Sequence, residues 1–265
     1  MHDFRLPVLG YHSVGPREPG LAPHLVVSAR EFEQHLDWLV SLGYRTLRLQ
    51  EVIDAFEGRG VLPPHSVLLT FDDGYRTLAS TAFPALAARG MSATVFVVTQ
   101  RIGEANVWDA APGGPTVPLL THEEIAHWHS RGIQFGAHTR THPSLPALRD
   151  DSVVSEIAGS AEDLRALLGG PVNAFAYPYG HTDARSARAV ADAFPLGFSS
   201  WHGINRRSTK RWMLRRSMVE PDTNRLILRC HLSFGRLPWE SLLGHLSPRA
   251  LVRYFGLRRR MVRDA

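Results

Sequence analysis

The sequence predicts an α/β protein built from parallel β/α units. Three observations predict it. Short apolar, β-branched runs of strand length alternate with amphipathic stretches of helix length. Glycines fall where those helical stretches should stop. Polar residues of the kind that do chemistry follow directly after the strand-like runs. Strands alternating with helices of ten to fifteen residues are the pattern of a parallel sheet covered by helices.

Taken in order, the runs at 6–11, 67–71, 93–98, 133–137 and 174–177 read as buried strands. The stretches at 29–42, 77–89, 121–131 and 152–168 read as helices. Ser28 before Glu31, and Thr121 before Glu124, have the spacing in which a side-chain oxygen and a carboxylate satisfy each other's free N–H groups at a helix start. Gly43, Gly90, Gly132 and Gly169 end the four helices. In a parallel β/α barrel, His12, Asp72, Asp73, His138, Pro178 and Tyr179 would all gather at the C-terminal mouth, because each follows a strand. The Pro/Gly-rich segment 110–118 reads as a long loop at that mouth.

With 265 residues, 44% hydrophobic and 21% charged, the chain has the composition of a folded globular protein. A single cysteine, Cys230, excludes an intrachain disulfide framework and any zinc site built mainly from thiolates, so a metal here needs His and carboxylate ligands. No run is long and apolar enough for a membrane-spanning helix, and the N-terminal residues have no signal-peptide pattern, so the expected location is cytoplasmic. The formal charge of +5 comes without any nucleic-acid-binding signature. Nucleic acid is therefore not an expected partner.

Two segments carry chemistry on their own terms. Asp72 and Asp73 end a hydrophobic strand, and Gly74 gives the backbone freedom for both carboxylates to turn inward. His138 and His142 stand at i and i+4, a spacing that lets two imidazoles share a metal ion if the segment makes a helical turn. Two neutral imidazoles and a carboxylate leave coordination positions open for water and a substrate oxygen.

Thr70-Phe71-Asp72-Asp73-Gly74 together with His138-Thr139-Arg140-Thr141-His142-Pro143 resembles the polysaccharide deacetylases, the NodB-homology domain of carbohydrate esterase family 4. Tyr11-His12-Ser13-Val14 and Phe175-Ala176-Tyr177-Pro178-Tyr179-Gly180 resemble the subgroup of poly-N-acetylglucosamine deacetylases. The resemblance spans about residues 5–220. It implies a distorted (β/α) barrel that binds one divalent metal ion, usually zinc, and hydrolyses an N-acyl amino sugar. By position, Asp73, His138 and His142 match the metal ligands, Asp72 the general base, and the Tyr179 backbone N–H an oxyanion donor. Two departures stand out. The arginine that orients the base in the family is replaced by Ala176, and Arg216 is the expected substitute. The late Leu-x-His motif that supplies a general acid has no good copy; His12 takes that role in a permuted motif order, with His231 of Cys230-His231-Leu232 as the alternative.

The resulting expectation is a deacetylase domain over 1–225 and a basic helical extension over 226–265. Its function is N-deacetylation of a glycan or glycan precursor; the alternatives are an O-acetyl esterase and an inactive carbohydrate-binding member. In the extension, Leu251, Tyr254, Phe255 and Arg258 fall at helical spacing among arginines, which suits peripheral contact with an anionic membrane as well as packing on the barrel.

Overall fold

The computed structural model describes residues 4–110 and 113–236, so the basic segment around Leu251 and Phe255 lies outside the described residues. The elements run β1 (Val8–Tyr11), β2 (Ser13–Val14), β3 (Val26–Val27), α1 (Ala29–Ser41), β4 (Arg45–Thr46), α2 (Leu49–Phe56) and β5 (Ser66–Phe71). They continue with α3 (Thr77–Ser80), α4 (Ala82–Ala87), β6 (Thr94–Val97), α5 (His122–His129), β7 (Gln134–Ala137) and α6 (Asp150–Leu168). The described chain ends with β8 (Ala174–Ala176), α7 (Ala184–Ala193), β9 (Leu196–Phe198), β10 (Ser217–Met218) and α8 (Arg225–Phe234).

The main sheet has the order β10-β1-β5-β6-β7-β8-β9, with β4 paired beside β5, and every pairing in it is parallel. Leu214, just ahead of β10, bridges Phe198 of β9, so the two ends of the sheet meet through one short contact. This is a distorted (β/α) barrel, as the sequence led us to expect. Alternation along the strands explains its two-part core. Val8, Leu68, Phe96, Ala174, Ala176 and Phe198 fill the barrel, while Leu9, Tyr11, Leu69, Phe71, Val95 and Val97 meet the helices.

The helices form where amphipathic spacing and caps agree. On α1, Phe32, His35, Leu36 and Leu39 are buried, and Ser28 and Glu31 make the reciprocal cap. Thr121 and Glu124 do the same for α5, and Gly169 closes α6 in the left-handed conformation. The stretch 77–89 is two short helices rather than one. Pro84 has no N–H for the Ser80 carbonyl, and Thr81 adopts φ −124° there while its hydroxyl donates to the carbonyls of Val14 and Thr77, both at 2.7 Å. The helix α8 packs Leu228 and Leu232 into the core. Among the described residues, no helix is long and apolar enough to cross a membrane.

Candidate active site

The β5 ladder continues one step past the strand, where the Asp72 N–H donates to the Tyr11 carbonyl at 2.9 Å. Asp73 (φ 68°) and Gly74 (φ 74°) then both take left-handed backbone angles. That double turn brings adjacent carboxylates into one cavity instead of opposite faces of a strand. Gly74 is required twice over, since a Cβ there would also stand 2.9 Å from Cγ1 of Val97. Asp72 and Asp73 are both buried.

The second segment leaves β7 with the His138 N–H on the Val97 carbonyl at 2.9 Å. It does not make the helical turn that the i, i+4 spacing suggests. Thr139 (φ 67°) and His142 (φ 65°) are left-handed, and the Thr139 hydroxyl donates to the His138 carbonyl while accepting the His142 N–H at 2.9 Å. The two imidazoles are brought together by this tight loop. Nδ1 of His138 donates to the Ala176 carbonyl at 2.7 Å, which fixes the tautomer and turns Nε2 toward Asp73. The His142 ring lies between Trp108, stacked with centroids 4.4 Å apart, and the edge of Tyr179 at 4.6 Å.

Oδ1 of Asp73 is 3.4 Å from Nε2 of His138 and 3.3 Å from Nε2 of His142. The three potential ligand atoms lie within 4.8 Å of one another. Because Nδ1 of His138 holds its proton, Nε2 faces a carboxylate oxygen with a lone pair. Two acceptors held face to face in a buried site repel unless a cation or a proton lies between them. One carboxylate and two neutral imidazoles are the donor set that suits a divalent metal, and the residues fit one. Burial opposes ionisation of Asp73, yet His138 and His142 hold its pKa well below the usual carboxylate range.

Arg216 is 1% exposed and grips Asp72 with both arms: Nη1 to Oδ1 at 2.6 Å and Nη2 to Oδ2 at 2.8 Å. Its Nε donates to the Ser199 carbonyl at 3.0 Å, Nη1 also reaches the Thr70 hydroxyl at 3.3 Å, and the guanidinium lies over the Phe96 ring. Its backbone stands one residue ahead of β10, on the other side of β1 from Asp72. Burial pushes the Asp72 pKa up, but Arg216 and His138 pull it below the ordinary value, so the group is a carboxylate at neutral pH.

His12, Asp72, Asp73, His138, His142, Tyr179 and Arg216 line one cavity of about 690 Å³. Burial lowers the His12 pKa, with Asp73 and Asp72 acting the other way, so the resting imidazole is largely neutral at pH 7. Tyr179 takes φ 57° after β8 and its side chain is half-exposed. The turn around it is held by the N–H groups of Gly180 and His181, which leaves the Tyr179 N–H outside those bonds. His231 is buried on α8 and does not line the cavity. Sequence reasoning missed Leu21, Leu25 and Asp109, which also line it from loops between elements. Only the Pro/Gly-rich run 110–118 signalled that a loop overhangs the mouth, and Ala110, Gly114 and Pro115 of that run do line the cavity.

A model of the polysaccharide deacetylase family matches residues 59–196. YxkH of Bacillus subtilis, provisionally named a polysaccharide deacetylase, is 28% identical over 218 residues, which cover 82% of this chain and 72% of that protein. A poly-beta-1,6-N-acetyl-D-glucosamine N-deacetylase of Staphylococcus aureus is 25% identical over 163 residues, 58% of this chain and 53% of that one, so the chain matches about half of that relative's length. Among solved structures, the Streptococcus pyogenes deacetylase PplD in complex with acetate is similar, with TM-score 0.77 and 25% identity over 87% of this chain and 99% of the other. IcaB from Ammonifex degensii is similar at TM-score 0.74 and 28% identity, over 87% of this chain and 97% of the other.

Proposed function

The chain belongs to the polysaccharide deacetylase family, a premise from which we propose that it is a metal-dependent N-deacetylase of N-acetylglucosamine-containing glycans. The observation that carries this reading is the juxtaposition of Asp73, His138 and His142 with an Asp72 carboxylate clamped by Arg216 in the same cavity. Hydrolysis adds water across the amide, so the C–N bond breaks to give acetate and a free amine.

Asp73, His138 and His142 would hold one divalent ion, with zinc the best match to the donor set. When bound, such an ion supplies Lewis acidity toward the acyl oxygen and makes a nearby water easier to deprotonate. Asp72 is the group that takes the water's proton. Its clamp by Arg216 keeps it ionised and fixes the direction in which its oxygens face. The Tyr179 N–H, which makes neither bond of its own turn, would donate to the oxyanion. His12, once it has taken up a proton from solvent, would deliver it to the departing nitrogen. It lines the same cavity, whereas His231 does not.

The relatives' names support this substrate class. Acetate release should be measured against a panel of free, polymeric, nucleotide-linked and lipid-linked N-acetyl sugars, with O-acetylated glycans alongside. Release confined to N-acetyl members supports the reading. Release confined to O-acetyl members would make the protein an esterase.

A further inference from the structure

We propose that one face of α6, carrying Glu156, Gly159 and Asp163, is a positioning element that sets the separation of His138 and His142 and thereby the affinity for the metal. The inference rests on the metal-site reading above. The loop from His138 to His142 contains two residues in the left-handed region, Thr139 and His142 itself, which a free chain avoids. Something outside the loop must hold it there.

Three residues spaced i, i+3 and i+7 share one face of a helix. The Glu156 carboxylate accepts the N–H groups of Arg140 at 2.7 Å and Thr141 at 3.0 Å, and the Thr141 hydroxyl at 2.6 Å. One side chain thus captures two consecutive N–H groups of the loop. Two turns on, Asp163 receives Arg140 in a forked pair, Nε to Oδ2 and Nη2 to Oδ1, each at 2.9 Å, and takes the Thr99 hydroxyl at 2.8 Å. Between them, Gly159 leaves room for the guanidinium; a Cβ there would lie 2.2 Å from Cζ of Arg140. A glycine inside a helix is disfavoured relative to alanine, and the Arg140 seat gives it a reason. The N–H groups of Thr99 and Gln100 also hold the loop, donating to the carbonyls of Thr139 and Arg140 at 3.1 and 3.0 Å. Every contact of Glu156 and Asp163 with the loop goes to residues 140 and 141, between the two histidines. The face therefore acts on the ligands only through the loop.

The test uses the full chain, stripped of metal, with zinc alone as the probe in competition with a chromophoric chelator. The thermal midpoint of the metal-free protein is the second readout. Wild type should bind about one zinc ion. Glu156→Ala should weaken zinc binding about tenfold or more, the size of effect that supporting partners of metal ligands produce. Glu156→Gln should stay within about threefold of wild type, because its amide oxygen can accept both N–H groups while its amide N–H donates to the Thr141 hydroxyl. If Glu156→Ala does not fold, Gly159→Ala carries the test: it should unseat Arg140 and weaken zinc binding in a folded protein. Folded Glu156→Ala or Gly159→Ala protein that binds zinc as wild type does would overturn the proposal. A wild-type protein that binds no zinc would overturn the metal-site reading instead, so the two failures are distinguishable.

Discussion

Replacing Arg216 with Met leaves Asp72 without its two-armed partner in the wall of the barrel, and the structure sets the size of the effect. The two side chains are 1% and 7% exposed, so solvent screening is slight. Breaking a buried pair from one side costs about 3–5 kcal/mol. A second route gives a similar figure. With Arg216 gone, burial acts on the Asp72 pKa with only His138 and His12 to oppose it, and the carboxyl escapes by taking up a proton. Carrying that proton at pH 7, against an unfolded value of about 3.9, costs up to about 4 kcal/mol. This is a large share of a typical domain's stability.

The sign of the pH dependence follows from the same groups. In wild type the folded pKa is depressed, so the stability from Asp72 is present above the unfolded value and is lost only as pH falls through the lower folded one. In Arg216→Met the folded value is raised instead. The deficit relative to wild type should therefore shrink by up to about 1.4 kcal/mol per unit as pH falls from the raised folded value toward 4. Urea denaturation of metal-free protein at pH 5, 6 and 7 reads this directly. The double variant Asp72→Asn/Arg216→Met should recover about half of the deficit or more and lose its pH dependence. A deficit below about 1 kcal/mol at pH 7, the size expected of an exposed pair, or one independent of pH, would refute the reasoning.

Asp73→Asn should lose zinc by elemental analysis, whereas Asp72→Asn should keep zinc and lose turnover by roughly 10²–10⁴-fold, the range for a positioned base; equal metal retention would undo the division between them. His12→Ala should lower turnover at full metal occupancy and alter the alkaline limb of the pH–rate profile, and His231→Ala should do little; the reverse pattern would move the acid role to α8. His35 is fully buried, donates through Nε2 to the Thr223 carbonyl and is held below its ordinary pKa by burial, so the unfolded chain takes up a proton that the fold refuses. The His35 contribution to stability should therefore fall as pH drops below about 6.5, and His35→Gln should change the wild-type slope by up to about 1.4 kcal/mol per unit in urea denaturation; an unchanged slope would contradict it.

Elements with strong periodicity or two-ended caps were legible in the sequence, and those that lean on tertiary packing were not. The four expected helices and five expected strands all have counterparts, since each carries an apolar run of the right length and period. The helix α7 packs only small residues, Ser186, Ala189, Val190 and Ala193, against the core, so its apolar stripe is weak in the sequence. The strand β10 is two residues long and exists because β1 offers it an edge. At the site, Asp72, Asp73 and His138 could be picked out because they follow strands, and His142 by its i, i+4 spacing from His138. The Asp72–Arg216 clamp joins residues 144 positions apart, and no local pattern encodes its two-armed geometry. The histidine spacing was legible, but its helical explanation was not the physical one. The left-handed angles at Thr139 and His142 depend on contacts with α6 that lie 15–23 positions away.

The central claim is tested most directly by acetate release from an N-acetylglucosamine oligomer, followed in one preparation through metal stripping and reconstitution. The account predicts release by zinc-loaded protein, loss after chelation, recovery at about one equivalent of zinc, and no recovery in His138→Ala. Undiminished release from stripped protein, or from His138→Ala, would contradict it.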